Sequence, residues 1–195
     1  MTSNADMINF VLNWIHKHPT GGQEANWTVA ITGAPAMIIS KADGATSGLA
    51  GMRDLSLAIK EQGWYHTLKG AYLAQTFTRD GNNTHAEMCI LAGAKSLNQS
   101  VVDMKCASPN CQACADTLAC AKVNNQSSCS TTPQSGWVHP FWPMALGTQL
   151  TASWENQIKE LKAFNKLSDE AKKNFKNKYT MRLTSPPAGG CVEIP

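Results

Sequence analysis

Thr84-His85-Ala86-Glu87-Met88-Cys89-Ile90-Leu91-Ala92, then Ser100-Val101-Val102-Asp103-Met104-Lys105-Cys106, then Ser108-Pro109-Asn110-Cys111-Gln112-Ala113-Cys114 reads as helix, strand, helix. The apolar stretch after Thr84 continues through Ala94 to Leu97 and is made of good helix formers, which places His85 in a first helical turn. Ser100 to Cys106 has the composition of a short, largely buried strand. Asn110 is a favourable N-cap residue for a second helix carrying Cys111, Cys114, Leu118 and Ala121. His85 and the cysteine pair then stand at two helix N-termini. The positive ends of the helix dipoles favour thiolate over thiol, and the i, i+3 spacing puts both sulfurs on one face.

One His and two Cys supply three protein ligands to a metal and leave a fourth tetrahedral position for water. A structural zinc site would normally fill all four. Glu87, two residues from His85, stands close enough to move a proton of such a water, whose pKa zinc lowers to roughly 7. Each half also has a plain structural reading. Thr84 to Glu87 is a T-x-x-E capping box, in which Glu87 satisfies a backbone donor. Cys111 and Cys114 alone fit a redox pair or half of a structural zinc knuckle. The catalytic reading rests on their conjunction, because H-x-E opening one helix and C-x-x-C opening the next rarely coincide by chance.

The pair of motifs resembles the H-x-E and P-C-x-x-C signature of the zinc-dependent cytidine and nucleobase deaminases. Within that superfamily the chain looks most like the bacterial toxin-type and polynucleotide cytosine deaminases, in which Ser-Pro also precedes the cysteine pair, as Ser108-Pro109 does here. It departs at one position: Asn110 is inserted between Pro109 and Cys111 and lengthens the turn by one residue. The resemblance implies an α/β fold, a three-layer α/β/α cytidine-deaminase-like arrangement with a central mixed sheet. It implies Zn2+ held by His85, Cys111 and Cys114, with Glu87 carrying a proton from water to the ring nitrogen beside the amino-bearing carbon. The products are ammonia and a carbonyl base. By the same resemblance, the backbone around Ala86 and the carbonyl of Ser108 contact the base edge and its amino group.

Enzymes of this superfamily that act on free cytidine usually carry an N-x-E-type sugar-binding segment upstream of the zinc helix, and Ala71 to Thr84 holds no convincing equivalent. The expected substrate is therefore cytosine in nucleic acid, unstacked or already single-stranded, with DNA favoured over RNA. Cytosine is favoured over adenine because most toxin-like members act on it. The toxin side of the resemblance adds an immunity protein as a candidate partner. A deaminase of a free nucleoside, nucleobase or related heterocycle is the alternative, and a non-catalytic module in which zinc serves only the fold is a different class again.

Composition agrees with one domain over residues 1–195. The chain is long enough to bury a sizeable core, and 43% of it is hydrophobic. No stretch has the length of an apolar membrane span, and the N-terminus lacks a basic region followed by an apolar one. The expectation is a cytoplasmic protein without membrane partners, or a toxin domain secreted by a route that leaves no signal in this sequence. Of seven cysteines, Cys89, Cys106 and Cys120 fall on apolar faces of predicted elements, while Cys129 and Cys191 fall in predicted loops. The pattern suits a reducing compartment better than a secreted disulfide scaffold.

Elsewhere, Ser3 or Asn4 can cap a first helix with Met7, Ile8, Val11, Leu12 and Ile15 at helical spacing, stopped by Pro19 and Gly21-Gly22. Trp27 to Ile31 and Ala36 to Ile39 form a predicted hairpin. Residues 44–83 read as an insertion in the deaminase core: a loop over Gly44 to Gly51, a short helix over Met52 to Gln62, and a strand or extended segment over Ala71 to Phe77 leading to the site. Asn124 to Ser135 is rich in Ser, Thr, Asn and Gln and reads as an exposed loop. After it, Trp137, His139, Phe141 and Trp142 crowd eight residues, either as core aromatics or as groups that stack on a base. Of these, Trp137 and His139 are the substrate-binding candidates. A basic helical region spans 150–182, where Glu155 to Arg182 holds eight Lys or Arg against four Asp or Glu. Such a stretch neutralises phosphates or forms a solvated face over Leu161, Phe164, Leu167 and Phe175.

Overall fold

Strand β1 (Trp27–Thr32) is buried at all six positions and strand β2 (Met37–Lys41) at all five, the state of strands covered on both faces. They pair antiparallel from Trp27 opposite Lys41 to Ile31 opposite Met37. The computed structural model describes residues 2–18, 27–41, 49–75, 78–79, 82–83, 85–111, 114–115, 118–119, 121–129 and 190–194. Further strands are β3 (Ala71–Ala74), β4 (Thr78–Arg79), β5 (Asn82–Asn83), β6 (Val101–Cys106), β7 (Asn124–Asn125) and β8 (Cys191–Glu193). A mixed six-stranded sheet runs β7-β6-β1-β2-β3-β8, and β4 and β5 form a separate two-stranded pair. The β6–β7 and β2–β3 pairs are parallel, and the other pairs of the large sheet are antiparallel.

Alternation along β1 and β2 divides the core in two. Val29, Ile31, Met37 and Ile39 pack with α1 (Asn4–Lys17) and α2 (Leu49–Lys60), through Met7, Ile8, Val11, Ile15, Met52, Leu55 and Ile59. Ala30 and Ile38, which alternate with them, pack with α3 (Ala86–Ser96). The fold is thus α/β with a mixed central sheet, as the sequence leads one to expect. Helix α1 begins where a capping box closes it: Asp6 N–H donates to Ser3 Oγ, and Ser3 N–H donates to Asp6 Oδ2.

Helix α3 is buried along nine consecutive residues, Ala86 to Ala94, so it is enclosed rather than amphipathic. Its end is a Schellman turn. Asn98 takes a left-handed φ of 54°, its N–H bonds to Lys95 O, and Gln99 N–H bonds to Ala94 O. The reversal delivers the chain into β6. The same device recurs after the helical residues Leu118 and Ala119, where Lys122 has φ 57° and Val123 N–H bonds to Leu118 O, leading into β7.

Several expectations need correction. The loop predicted over Gly44 to Gly51 ends earlier, because α2 starts at Leu49, and α2 stops at Lys60 rather than Gln62. Strand β3 ends at Ala74, opposite Cys191, one residue after its pairing with β2 ends at Leu73 opposite Ile39. Asn124 and Asn125 are not loop but an edge strand on β6. Cys191 likewise sits in β8, opposite Ala74. Both are edge strands specified by their partners, not by their own apolar pattern. No disulfide joins the described cysteines, and among the described residues no helix is long and apolar enough to cross a membrane. The basic region of 150–182 lies outside the described residues.

Two stability predictions follow from this packing. A Cβ on Gly93 would stand 2.5 Å from Cys191 Sγ and 3.3 Å from Ala74 Cβ, wedging α3 off β3 and β8. Overpacking costs about 1–3 kcal/mol, against a helix-propensity gain of about 1 kcal/mol for Ala over Gly. Gly93→Ala should therefore lose roughly 1 kcal/mol in urea unfolding, and adding Cys191→Ala should recover part of it. Asp103 concerns pH. Its carboxylate accepts from Asn4 Nδ2 at 2.7 Å, Asn124 Nδ2 at 2.6 Å and Gln126 Nε2 at 3.3 Å. Partial burial pushes this carboxyl up, but the three amide donors together outweigh it and hold it below its ordinary value. A depressed folded value contributes stability above the unfolded carboxylate pKa of about 3.9, lost as pH falls through the folded value. Asp103→Asn should lower stability at pH 7 and flatten the acid limb of the pH–stability curve.

Candidate metal centre

His85 is the N-cap of α3, not a member of its first turn as the sequence suggests. Its backbone is extended, with φ −60° and ψ 142°, and its carbonyl already accepts from Met88 and Cys89 N–H at 3.0 and 3.1 Å. The imidazole makes no capping hydrogen bond. It is thereby available to face away from the helix backbone. The T-x-x-E capping box requires Thr84 as N-cap, whereas the helix starts one residue later and the Glu87 carboxylate is engaged elsewhere. Thr84 itself lies outside the described residues.

The second ligand pair is built differently from its sequence reading. Asn110 does not cap the helix. Cys111 fills that role, with its carbonyl accepting from Ala115 N–H at 3.0 Å and its Sγ from Cys114 N–H at 3.4 Å. Cys114 and Ala115 are helical. Donation from a helix N-terminus to a sulfur favours the thiolate form.

His85, Cys111 and Cys114 come together, with their ligand atoms within 4.8 Å of one another. His85 Nδ1 is 3.2 Å from Cys114 Sγ and 3.4 Å from Cys111 Sγ. Cys111 and Cys114 are buried and His85 is half-buried. The three residues can hold a metal ion. Hydrogen bonding from Cys114 holds the Cys111 thiol down to about 4, against the effect of burial and with help from His85 and the Cys114 N–H. Burial pushes Cys114 well up, and the neighbouring Cys111 adds to it. A metal ion takes cysteine as thiolate, so binding displaces thiol protons and affinity falls in acid.

Cys106 is the obvious fourth ligand for a closed structural site, and it is held out of the cluster. Its Sγ is 2.9 Å from Thr28 Oγ1 and accepts from Asn110 Nδ2 at 2.9 Å. Burial, with the Glu87 charge nearby, raises its pKa and keeps it a neutral thiol. Among the described residues, the cluster has three ligands and no fourth.

Glu87 is the one charged residue in the nine-residue buried run of α3, with 7% of its surface exposed. Its Oε1 accepts from Asn110 Nδ2 at 2.6 Å. Both ligand-bearing segments therefore meet at a carboxylate as well as at the cluster. Ala86 is buried at the first helical position, and its N–H precedes the first intrahelical bond of α3. Ser108 is half-buried in the bend between β6 and Pro109. Trp137 and His139 lie outside the described residues. Sequence reasoning missed the contact role of Asn110. Its signal in the sequence was a polar residue directly beside a candidate metal ligand.

Comparisons with protein-family models, with curated proteins and with solved structures find no match to this chain. The cluster geometry yields its own test. Cys111→Ser and Cys114→Ser should each abolish stoichiometric metal binding in elemental analysis of the purified protein, whereas Cys106→Ser should retain it. Loss of metal in Cys106→Ser would make the site a closed, four-ligand one.

Proposed function

We propose that the chain is a zinc-dependent hydrolytic deaminase that converts cytosine to uracil in nucleic acid, with DNA favoured over RNA. The observation that carries the reading is a buried carboxylate, Glu87, beside a cluster that among the described residues has three ligands and no fourth. A structural site needs neither the open position nor the buried acid.

The donor set fits zinc. Bonds of about 2.3 Å to sulfur and about 2.0 Å to nitrogen set a tetrahedral N···S edge of about 3.5 Å, close to the 3.2 and 3.4 Å between His85 Nδ1 and the two sulfurs. One His and two Cys is also the ligand set of the zinc deaminases. When bound, zinc supplies a water acidic enough to act as hydroxide near neutral pH.

The chain's own residues do the rest. His85, Cys111 and Cys114 fix the ion. Glu87 takes the proton from the attacking water and delivers it to the ring nitrogen next to the amino-bearing carbon. It then takes the remaining proton of the hydroxyl added to that carbon and passes it to the departing amine. Water and cytosine become uracil and ammonia, and Glu87 ends in its starting state. The Ala86 N–H, on the first turn of α3, is a donor suited to the base edge, and the Ser108 carbonyl is an acceptor suited to its amino group. The polymeric substrate is supported by the sequence: the eight basic residues between Glu155 and Arg182 and the resemblance of Ser108-Pro109 to polynucleotide deaminases.

The test is ammonia and uracil release by zinc-loaded protein from cytidine, single-stranded DNA, duplex DNA and RNA in parallel. Uracil should appear in a polynucleotide, and KM should rise steeply with salt, because phosphate contacts release counterions. Glu87→Ala should lower kcat by about 10²–10⁴-fold while keeping its zinc. Turnover of cytidine alone would replace the polynucleotide reading with a small-molecule one, and unchanged activity in Glu87→Ala would overturn the catalytic assignment.

A further inference from the structure

We infer that Asn110, the residue inserted between Pro109 and the first metal-ligating cysteine, is a positioning residue for Glu87, holding Oε1 so that Oε2 carries the proton. This rests on the deaminase reading above. Asn110 is 1% exposed, and its Nδ2 donates to Glu87 Oε1 at 2.6 Å and to Cys106 Sγ at 2.9 Å. Both hydrogens of the amide are thus used. Its backbone is fixed as well: Asn110 N–H bonds to Ser128 O at 2.8 Å, and Asn110 forms an isolated parallel bridge with Cys129. Cys106, the other acceptor, is anchored by Thr28 Oγ1, and its N–H donates to Ser127 Oγ at 2.7 Å. The amide therefore sits on a frame that does not include Glu87.

The acceptor end of the same side chain argues that the contact is more than filling. Asn110 Oδ1 is buried and has no hydrogen-bond partner among the described residues. A buried polar atom left unsatisfied is destabilising, whereas an apolar residue of similar shape would leave no such atom. Turning the amide over would set Oδ1 against the Glu87 carboxylate, acceptor against acceptor, so the donor end has one place to go. The amide gives up its oxygen to put its N–H on the acid.

A carboxylate that must receive a proton from water and release it to a ring nitrogen works best when one oxygen makes both contacts without reorientation. Pinning Oε1 on Asn110 fixes the plane of the carboxylate and leaves Oε2 for the reacting partners. The added residue in the turn is what places the amide there, since Cys111 next to it is occupied as ligand and cap.

A double-mutant cycle on the zinc-loaded full chain tests this, using Glu87→Ala, Asn110→Ala and the pair together. Asn110→Ala should lower kcat by about 10- to 100-fold with KM little changed and zinc content intact. In the Glu87→Ala background it should cost nothing further. A second pair reads the contact without activity. Asn110→Asp removes the donor and should lower Tm, and Glu87→Gln in that background restores a donor–acceptor pair and should recover part of the Tm while the enzyme stays inactive. Equal losses of kcat with and without Glu87, or no recovery of Tm in Glu87→Gln/Asn110→Asp, would overturn the inference. A wild type that deaminates no substrate would instead overturn the deaminase reading, and the inference with it.

Discussion

A carboxylate enclosed by protein must find a partner, and that requirement organises the region around α3. Glu87 lies in a run of nine buried residues whose other members are uncharged. Burying an ionised acid without compensation costs far more than one hydrophobic side chain contributes. The compensation comes from outside the helix, through Asn110, and Asn110 is in turn fixed by Cys106 at the end of β6 and by Ser128. The acid, the spare thiol and the segment after β7 thus form one connected set of contacts around the ligand cluster. Disturbing any member reaches the others.

The fold positions this set through two features of ordinary chain geometry. Helix α3 has its N-terminus at the cluster and ends in a Schellman turn, from which β6 runs back so that its last residue, Cys106, returns to Asn110 and Glu87. Cys111 accepts from the helical residues Cys114 and Ala115 through its sulfur and its carbonyl. Ligands at N-caps have extended backbone and side chains free of the helical ladder. That is why residues close to the starts of two helices can converge on one point while the helices themselves are built from apolar residues packed in a common cluster.

Much of this was legible in the sequence. The hairpin of β1 and β2, the capped first helix and the convergence of His85 with Cys111 and Cys114 are signals carried by β-rich composition, helical periodicity and the conjunction of two motifs. The parts that were not legible depend on partners remote in the chain. Asn124 and Asn125 have no strand composition and are held by pairing with Asp103 and Met104. Cys191 to Glu193 becomes a strand only because β3 offers its edge. Asn110 has the identity of an N-cap, and local preference assigned it that role. Its Nδ2 donates to Glu87 and Cys106, and it is the Cys111 sulfur that accepts from the Cys114 N–H.

Strands β7 and β8 occupy opposite edges of the six-stranded sheet. At about 4.8 Å between neighbouring strands, five intervals separate those edges by roughly 24 Å. Both edge strands are short, two residues in β7 and three in β8, which leaves another chain little to pair with at either edge.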